Sequence, residues 1–197
     1  MSEIADLLNN KIDVKLSIRQ RKIVLGCLLG KSYIICPSGK RSKYFYTRQS
    51  KNKDINIIAF RAAELRNLSR HNAFIEDKSS YKWYSMSHTE WDAIYKMCYR
   101  KGKKHITMDW LDELTDISLV MVILDLGGFE KDHLLLNTKK FGRQNSILKR
   151  YFNEVGYECS VKKNKIHFTR QSTIKLLQDI QQQVPEYLLY LIQQYIP

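Results

Sequence analysis

No two cysteines stand at CxxC spacing: Cys27, Cys36, Cys98 and Cys159 are scattered along the chain. That excludes a zinc knuckle and a disulfide framework, and a reducing compartment is the simplest setting. The five histidines form no HExxH pair, so the zincin helix is excluded as well. The run Arg70-His71-Asn72 lacks the second histidine and the metal spacing of a histidine-asparagine-histidine nuclease. No apolar run approaches the ~18 residues that a membrane-spanning helix needs. No signal peptide opens the chain, so a soluble cytoplasmic protein is expected. With three prolines in 197 residues and no Gly/Ser-rich stretch, no linker is visible, and any two halves are expected to pack as one body.

Acidic residues are also scarce. Twenty Asp and Glu face 33 Lys and Arg, a formal net charge of +13. An excess of this size favours a polyanionic partner, because each neutralised phosphate releases condensed counterions. Twelve tyrosines and three tryptophans accompany it, which suits a surface that both packs and makes contacts.

Read in order, residues 3–10 suit a short polar helix or an arm. "LSIRQRKIVLGCLLG" carries helical periodicity, with Ser17 as N-cap. "KSYIICPSGKRSKYFYTRQ" predicts two strands around a Pro-Ser-Gly turn. A helix over about 54–68, a hairpin of "AFIED" and "YKWYSMS", a helix over 88–99 and a charged turn at "RKGKK" follow. The order then restarts. Residues 116–127 form a helix apolar nearly all round, which predicts burial. After it come a strand at "HLLLNTKKF", an amphipathic helix over 142–155, a hairpin of "YECSVKKN" and "KIHFTRQS", and two closing helices over 172–194. The pattern repeats at about 95 residues, the interval from Lys31 to Leu126, and marks an internal duplication.

Two stretches, "LSIRQRKIVLGCLLGKSYI" and "LTDISLVMVILDLGGF", resemble the two motifs of the LAGLIDADG homing endonucleases in their single-chain form. The similarity runs on through "KYFYTRQSKNKD", "YKWYSMSHTEWDAIYKMCYRKGKKHI", "LLLNTKKFGRQNSILKRYF" and "KIHFTRQSTIKLLQDI", nearly the whole chain after residue 16. The resemblance implies an α+β fold of two αββαββα-like halves related by a pseudo-two-fold, with antiparallel sheets forming a DNA-binding saddle. The halves would be 16–113 and 114–197, after an arm at 1–15. Paired motif helices need small residues for close approach, which Gly26, Gly30 and Ser118, with Val122, would supply. In the family each motif ends in an acid, and the pair holds divalent cations for phosphodiester cleavage. Those positions fall on Lys31 and Leu126. A protonated lysine repels a metal ion and leucine offers no ligand. Asp125 stands one residue early, turned about 100° away, so it reads as a capping or interface acid.

On strands, alternation puts Phe45, Thr47, Tyr81, Trp83 and Ser85 inward and leaves Tyr44, Tyr46, Arg48, Lys82, Tyr84 and Met86 for the groove. In the second half the same rule exposes Leu135, Asn137 and Lys139, then Glu158, Ser160 and Lys162, then His167 and Thr169. Lys40, Arg41, Lys43, Lys140, Lys163, Lys165 and Arg170 suit backbone contacts from turns and strand ends. The expected partner is double-stranded DNA at an extended asymmetric site, bound by a monomer. The expected role is a nucleoid-associated regulator or repressor that no longer cuts and needs no cofactor. The alternatives are a Mg2+-dependent nuclease using Asp125 with Asp116 or Glu130, an RNA-splicing maturase, and a protein-interaction module on the same scaffold.

Overall fold

A computed structural model describes residues 15–36, 43–69 and 73–196. The expected arm at 3–10, the Pro-Ser-Gly turn, Lys40, Arg41 and the Arg70-His71-Asn72 run lie outside the described residues. The chain divides into two compact units, 1–96 and 97–197.

The first unit opens with α1 (Ile18–Leu29). Ser17 and Gln20 cap it reciprocally: the Gln20 N–H donates to Ser17 Oγ, and the Ser17 N–H to Gln20 Oε1, both at 3.1 Å. Two of the donors that a helix start leaves unpaired are thereby satisfied. Strands β1 (Tyr33–Ile35) and β2 (Tyr44–Ser50), helix α2 (Asn56–Glu64), strands β3 (Phe74–Glu76) and β4 (Ser80–Tyr84), and helix α3 (Glu90–Cys98) follow. The helix expected over 54–68 breaks at Leu65 into a 3-10 turn, Arg66–Leu68. The antiparallel sheet has the order β1-β2-β4-β3. Its inner face packs on helices through Phe45, which lies 6.3 Å from the Trp83 ring and 5.9 Å from Trp91, centroid to centroid.

The second unit repeats that connectivity. A tight hairpin, β5 (Tyr99–Arg100) and β6 (Lys103–Lys104), stands where a plain charged turn was expected. Its corner residues Lys101 and Gly102 both have positive φ, 49° and 75°, the requirement of a primed turn. A one-turn helix α4 (Met108–Leu111) leads to α5 (Asp116–Leu126), β7 (Gly127–Glu130), β8 (His133–Asn137), α6 (Asn145–Glu154), β9 (Cys159–Lys162), β10 (Lys165–Phe168) and α7 (Arg170–Ile180). The sheet order is β7-β8-β10-β9, the first sheet's order over again. Residues 97–113, assigned by sequence to the first half, fall in this unit: the Ile106 N–H donates to Gln144 Oε1 at 2.6 Å, and α4 packs on α6. Strand β7 was not expected, because two glycines open it. Past Ile180 the expected second helix is two 3-10 turns and a single helical turn, α8 (Tyr190–Gln193), with Pro185 between.

All ten residues from Ile117 to Leu126 are buried, Asp125 at 3% exposure among them. The apolar perimeter of α5 therefore has the burial its composition predicts. Membrane spanning is not a use for it: among the described residues no helix is long and apolar enough to cross a bilayer. Nearby, Lys104 is half-buried at the end of β6. Burial pushes its pKa well below the ordinary 10.5, Lys140 adds to that, and the Asp125 charge opposes it.

Two outcomes follow from these contacts. A Cβ on Gly127 would come within 2.4 Å of the Ile123 carbonyl oxygen, whereas one on Gly128 meets nothing within 4 Å. Gly127→Ala is expected to cost about 1–3 kcal/mol in urea unfolding, and Gly128→Ala to stay within about 0.5 kcal/mol. For Lys104, the unfolded chain binds the proton more tightly than the folded chain, so stability rises with pH between the depressed folded value and 10.5. Melting curves across that window are expected to show a steeper rise of Tm with pH in the parent than in Lys104→Met.

Candidate nucleic-acid interface

Each sheet turns one face to its helices and carries on the other the residues that alternation leaves outward. In the first sheet the register aligns Tyr33 with Tyr46 and Tyr46 with Tyr84, so three tyrosines form a row across β1, β2 and β4. Tyr46 and Tyr84 lie 4.8 Å apart by ring centroid, and Tyr44 and Tyr84 6.0 Å. The next outward row is Arg48, Lys82 and Ile75. Arg48 donates from Nε to Ser80 Oγ at 2.9 Å, and Lys82 pairs with Asp77 at 2.6 Å. That ion pair, with N–H groups from Ser79 and Ser80, holds the Asp77 carboxyl well below the usual carboxylate range.

On the second sheet the row nearest the hairpin turn is Asn137, Lys165 and Lys162, each directly opposite its neighbour. Two like charges face each other there, an arrangement that costs stability unless an anion offsets it. The turn itself, Lys163 and Asn164, has φ of 48° and 61°, so Lys163 projects from a primed corner. One row up, Leu135, His167 and Ser160 align, and beyond them Glu130 pairs with His133. These residues, with Lys131, Glu158 and Thr169, line a cavity of about 540 Å³ on that face. His133 Nδ1 lies 3.1 Å from the Phe168 carbonyl, and His167 Nε2 is buried with no hydrogen-bond partner among the described residues. This face can offer anions Lys162 and Lys165, and base edges the Glu130 carboxylate, the Asn137 amide and the His133 imidazole.

Several expected contact residues turn elsewhere. Lys43 precedes β2 with inward parity and pairs with Asp92 of α3, its ammonium 5.2 Å from the Tyr95 ring centre. Met86 lies beyond the end of β4; its N–H donates to the Leu68 carbonyl and its own carbonyl accepts from Trp91 Nε1. Lys139 and Lys140 sit in a 3-10 turn, Lys139–Gln144, because β8 stops at Asn137. Thr169 borders the cavity, but its Oγ1 is spent capping α7, accepting from the Ser172 N–H, and Arg170 opens that helix 3.6 Å from Asp132. Tyr33 and His133 were missed, although each completes an alternation that a longer window at its strand would have shown.

The ends of the two motif helices hold no carboxylate at the matching positions. Lys31 is exposed just past α1, and Leu126 is 8% exposed at the end of α5. Gly26, Gly30, Ser118 and Val122 are all buried. The Ser118 hydroxyl is engaged at the start of its own helix, accepting from the Thr115 N–H at 3.2 Å. Among the described residues no three His, Cys, Asp or Glu side chains gather as a metal site.

Comparison with known proteins matches this architecture. The homing endonuclease I-WcaI, solved bound to its DNA recognition sequence, is 19% identical with a TM-score of 0.79 over 96% of this chain and 92% of that one. Mesophilic variants of the homing endonuclease I-DmoI are 15% identical, with a TM-score of 0.52 over 83% of this chain and 96% of theirs. The N-terminal LAGLIDADG domain of DUF199/WhiA is 12% identical, with a TM-score of 0.53 over 96% and 94%. Likeness at such identities concerns the fold. Curated protein sequences give no match. The model of the LAGLIDADG DNA endonuclease family matches residues 21–193. An αββαββα run that begins at a motif helix, present in each unit, thus agrees with a family match over most of the sequence, and the chain belongs to the LAGLIDADG DNA endonuclease family.

Proposed function

We propose that this chain binds double-stranded DNA at a specific, extended and asymmetric site, does not cut it, and acts as a transcriptional regulator by occupying that site. The observation that carries the non-cutting half is the pair Lys31 and Leu126, an exposed ammonium and a buried alkyl group where the family's motif ends in acids. Neither side chain can hold a divalent cation, which takes oxygen ligands. Asp125 does not replace them, because it is buried one residue short of the motif position. The binding half is supported by the net charge of +13 and by the polar and aromatic outward rows of both sheets. The solved relatives I-WcaI and I-DmoI are themselves in complex with recognition or target DNA. The molecule would work as a monomer in the cytoplasm, at the nucleoid, with no resident cofactor.

A mobility-shift series over fragments of the native genome tests the proposal. One fragment is expected to shift at protein concentrations about 10³-fold or more below those that shift bulk DNA, the low end for specific DNA binders. Affinity is expected to fall steeply as salt rises. A structured intron RNA that displaces the bound duplex would put the maturase reading in its place. Binding indifferent to both sequence and ionic strength would leave only a protein-interaction module.

A further inference from the structure

The two outward faces differ in chemistry, and the difference specifies what each can read. Strands β1 to β4 contain two cations, Arg48 and Lys82. Both are engaged within the sheet, Arg48 with Ser79 and Ser80, Lys82 with Asp77. At the strand end, Lys51 is paired with Glu76 at 2.5 Å. Arg48 is exposed and bonded only to neutral hydroxyls, so its charge stays available to phosphate; the rest of the outward surface is the tyrosine row, with Ile35 aligned to Tyr44 and Ile75 beside Lys82. Ring edges, alkyl groups and phenol hydroxyls cannot supply the bidentate cationic donor that guanine rewards. They can pack against the 5-methyl group that thymine alone presents in the major groove. The second sheet is the reverse. Lys162 and Lys165 face each other with Asn137 alongside, and neither lysine has an ion-pair partner among the described residues. Lysine suits guanine and phosphate, asparagine suits adenine, and Glu130 can accept from cytosine.

We infer that the first sheet reads a thymine-rich half-site through Tyr33, Tyr44, Tyr46 and Tyr84, while the Asn137–Lys165–Lys162 row of the second sheet holds the other, mixed-sequence half. The inference rests on the duplex-DNA reading above and adds the chemical identity of the target. Burial first, and the nearby Tyr84 phenol second, push the Tyr44 and Tyr46 hydroxyls further above their ordinary value, so those two stay neutral in this role. Ring packing also limits what ordering costs on binding, because Tyr44 and Tyr46 each already lie against Tyr84.

The test begins with selection by the full chain from a pool of randomised duplexes. The winning duplex is then remade with deoxyuridine for thymidine in one half at a time, which removes the methyl groups and nothing else. One half is expected to be thymine-rich and to lose about fourfold in affinity for each contacted methyl. Tyr46→Ser and Tyr84→Ser are expected to abolish that sensitivity, and Tyr46→Phe, which keeps the ring, to retain it. Lys162→Ala is expected to leave uracil sensitivity intact and to lower the salt slope by about one. A selected duplex that tolerates uracil in both halves overturns the inference and leaves specific DNA binding standing, as does uracil sensitivity that survives both serine variants. A pool that yields no preferred sequence overturns the duplex-DNA reading, and this inference with it.

Discussion

A strand can give its core only every second side chain, and the rest of this molecule depends on that limit. Once helices cover one face of each sheet through residues such as Phe45, Trp83, Ile166 and Phe168, the alternate positions are committed to the other face. Their identities are then free of packing demands. It is there that the chain places tyrosines in one unit and lysines, histidines and an asparagine in the other. A slip of one residue in register would bury Arg48 and expose Phe45, so the hydrophobic pattern that holds the fold also sets which side chains face outward.

The two motif helices are held by features that do not involve the residues at their ends. Helix α1 keeps its capping box, and α5 keeps an apolar surface that is buried on every side. Those features stabilise the units whatever stands at the helix ends. A lysine at position 31 leaves the buried face of α1 as it is, since Lys31 is exposed just past the end of that helix. Leu126 goes further: a buried leucine at that point adds apolar area to the core, where a carboxylate without a metal would have to be desolvated.

Much of the fold was legible because its signals are local. Ser17 followed by Gln20 is a cap in sequence and in space, and the alternation from Tyr44 to Arg48 fixes both strand and face. What was not legible depends on neighbours distant in sequence. Strand β7 begins with Gly127 and Gly128, which have little strand preference, and is drawn into the ladder by pairing with Leu136 and Leu135. Lys43 reads as one more groove cation until Asp92, on a helix 49 residues away, claims it. Thr169 and Arg170 read as the tail of a strand because nothing before them announces a helix start. Lys104 carried no signal at all, since charge in a sequence says nothing of burial.

A DNA grip without a cutting centre is tested most directly on the bound complex. The selected duplex, saturated with protein, is incubated with Mg2+ and separately with Mn2+, and the strands are resolved on a denaturing gel. Both strands are expected to remain intact in either metal. Strand scission that disappears in the Asp125→Asn protein contradicts this.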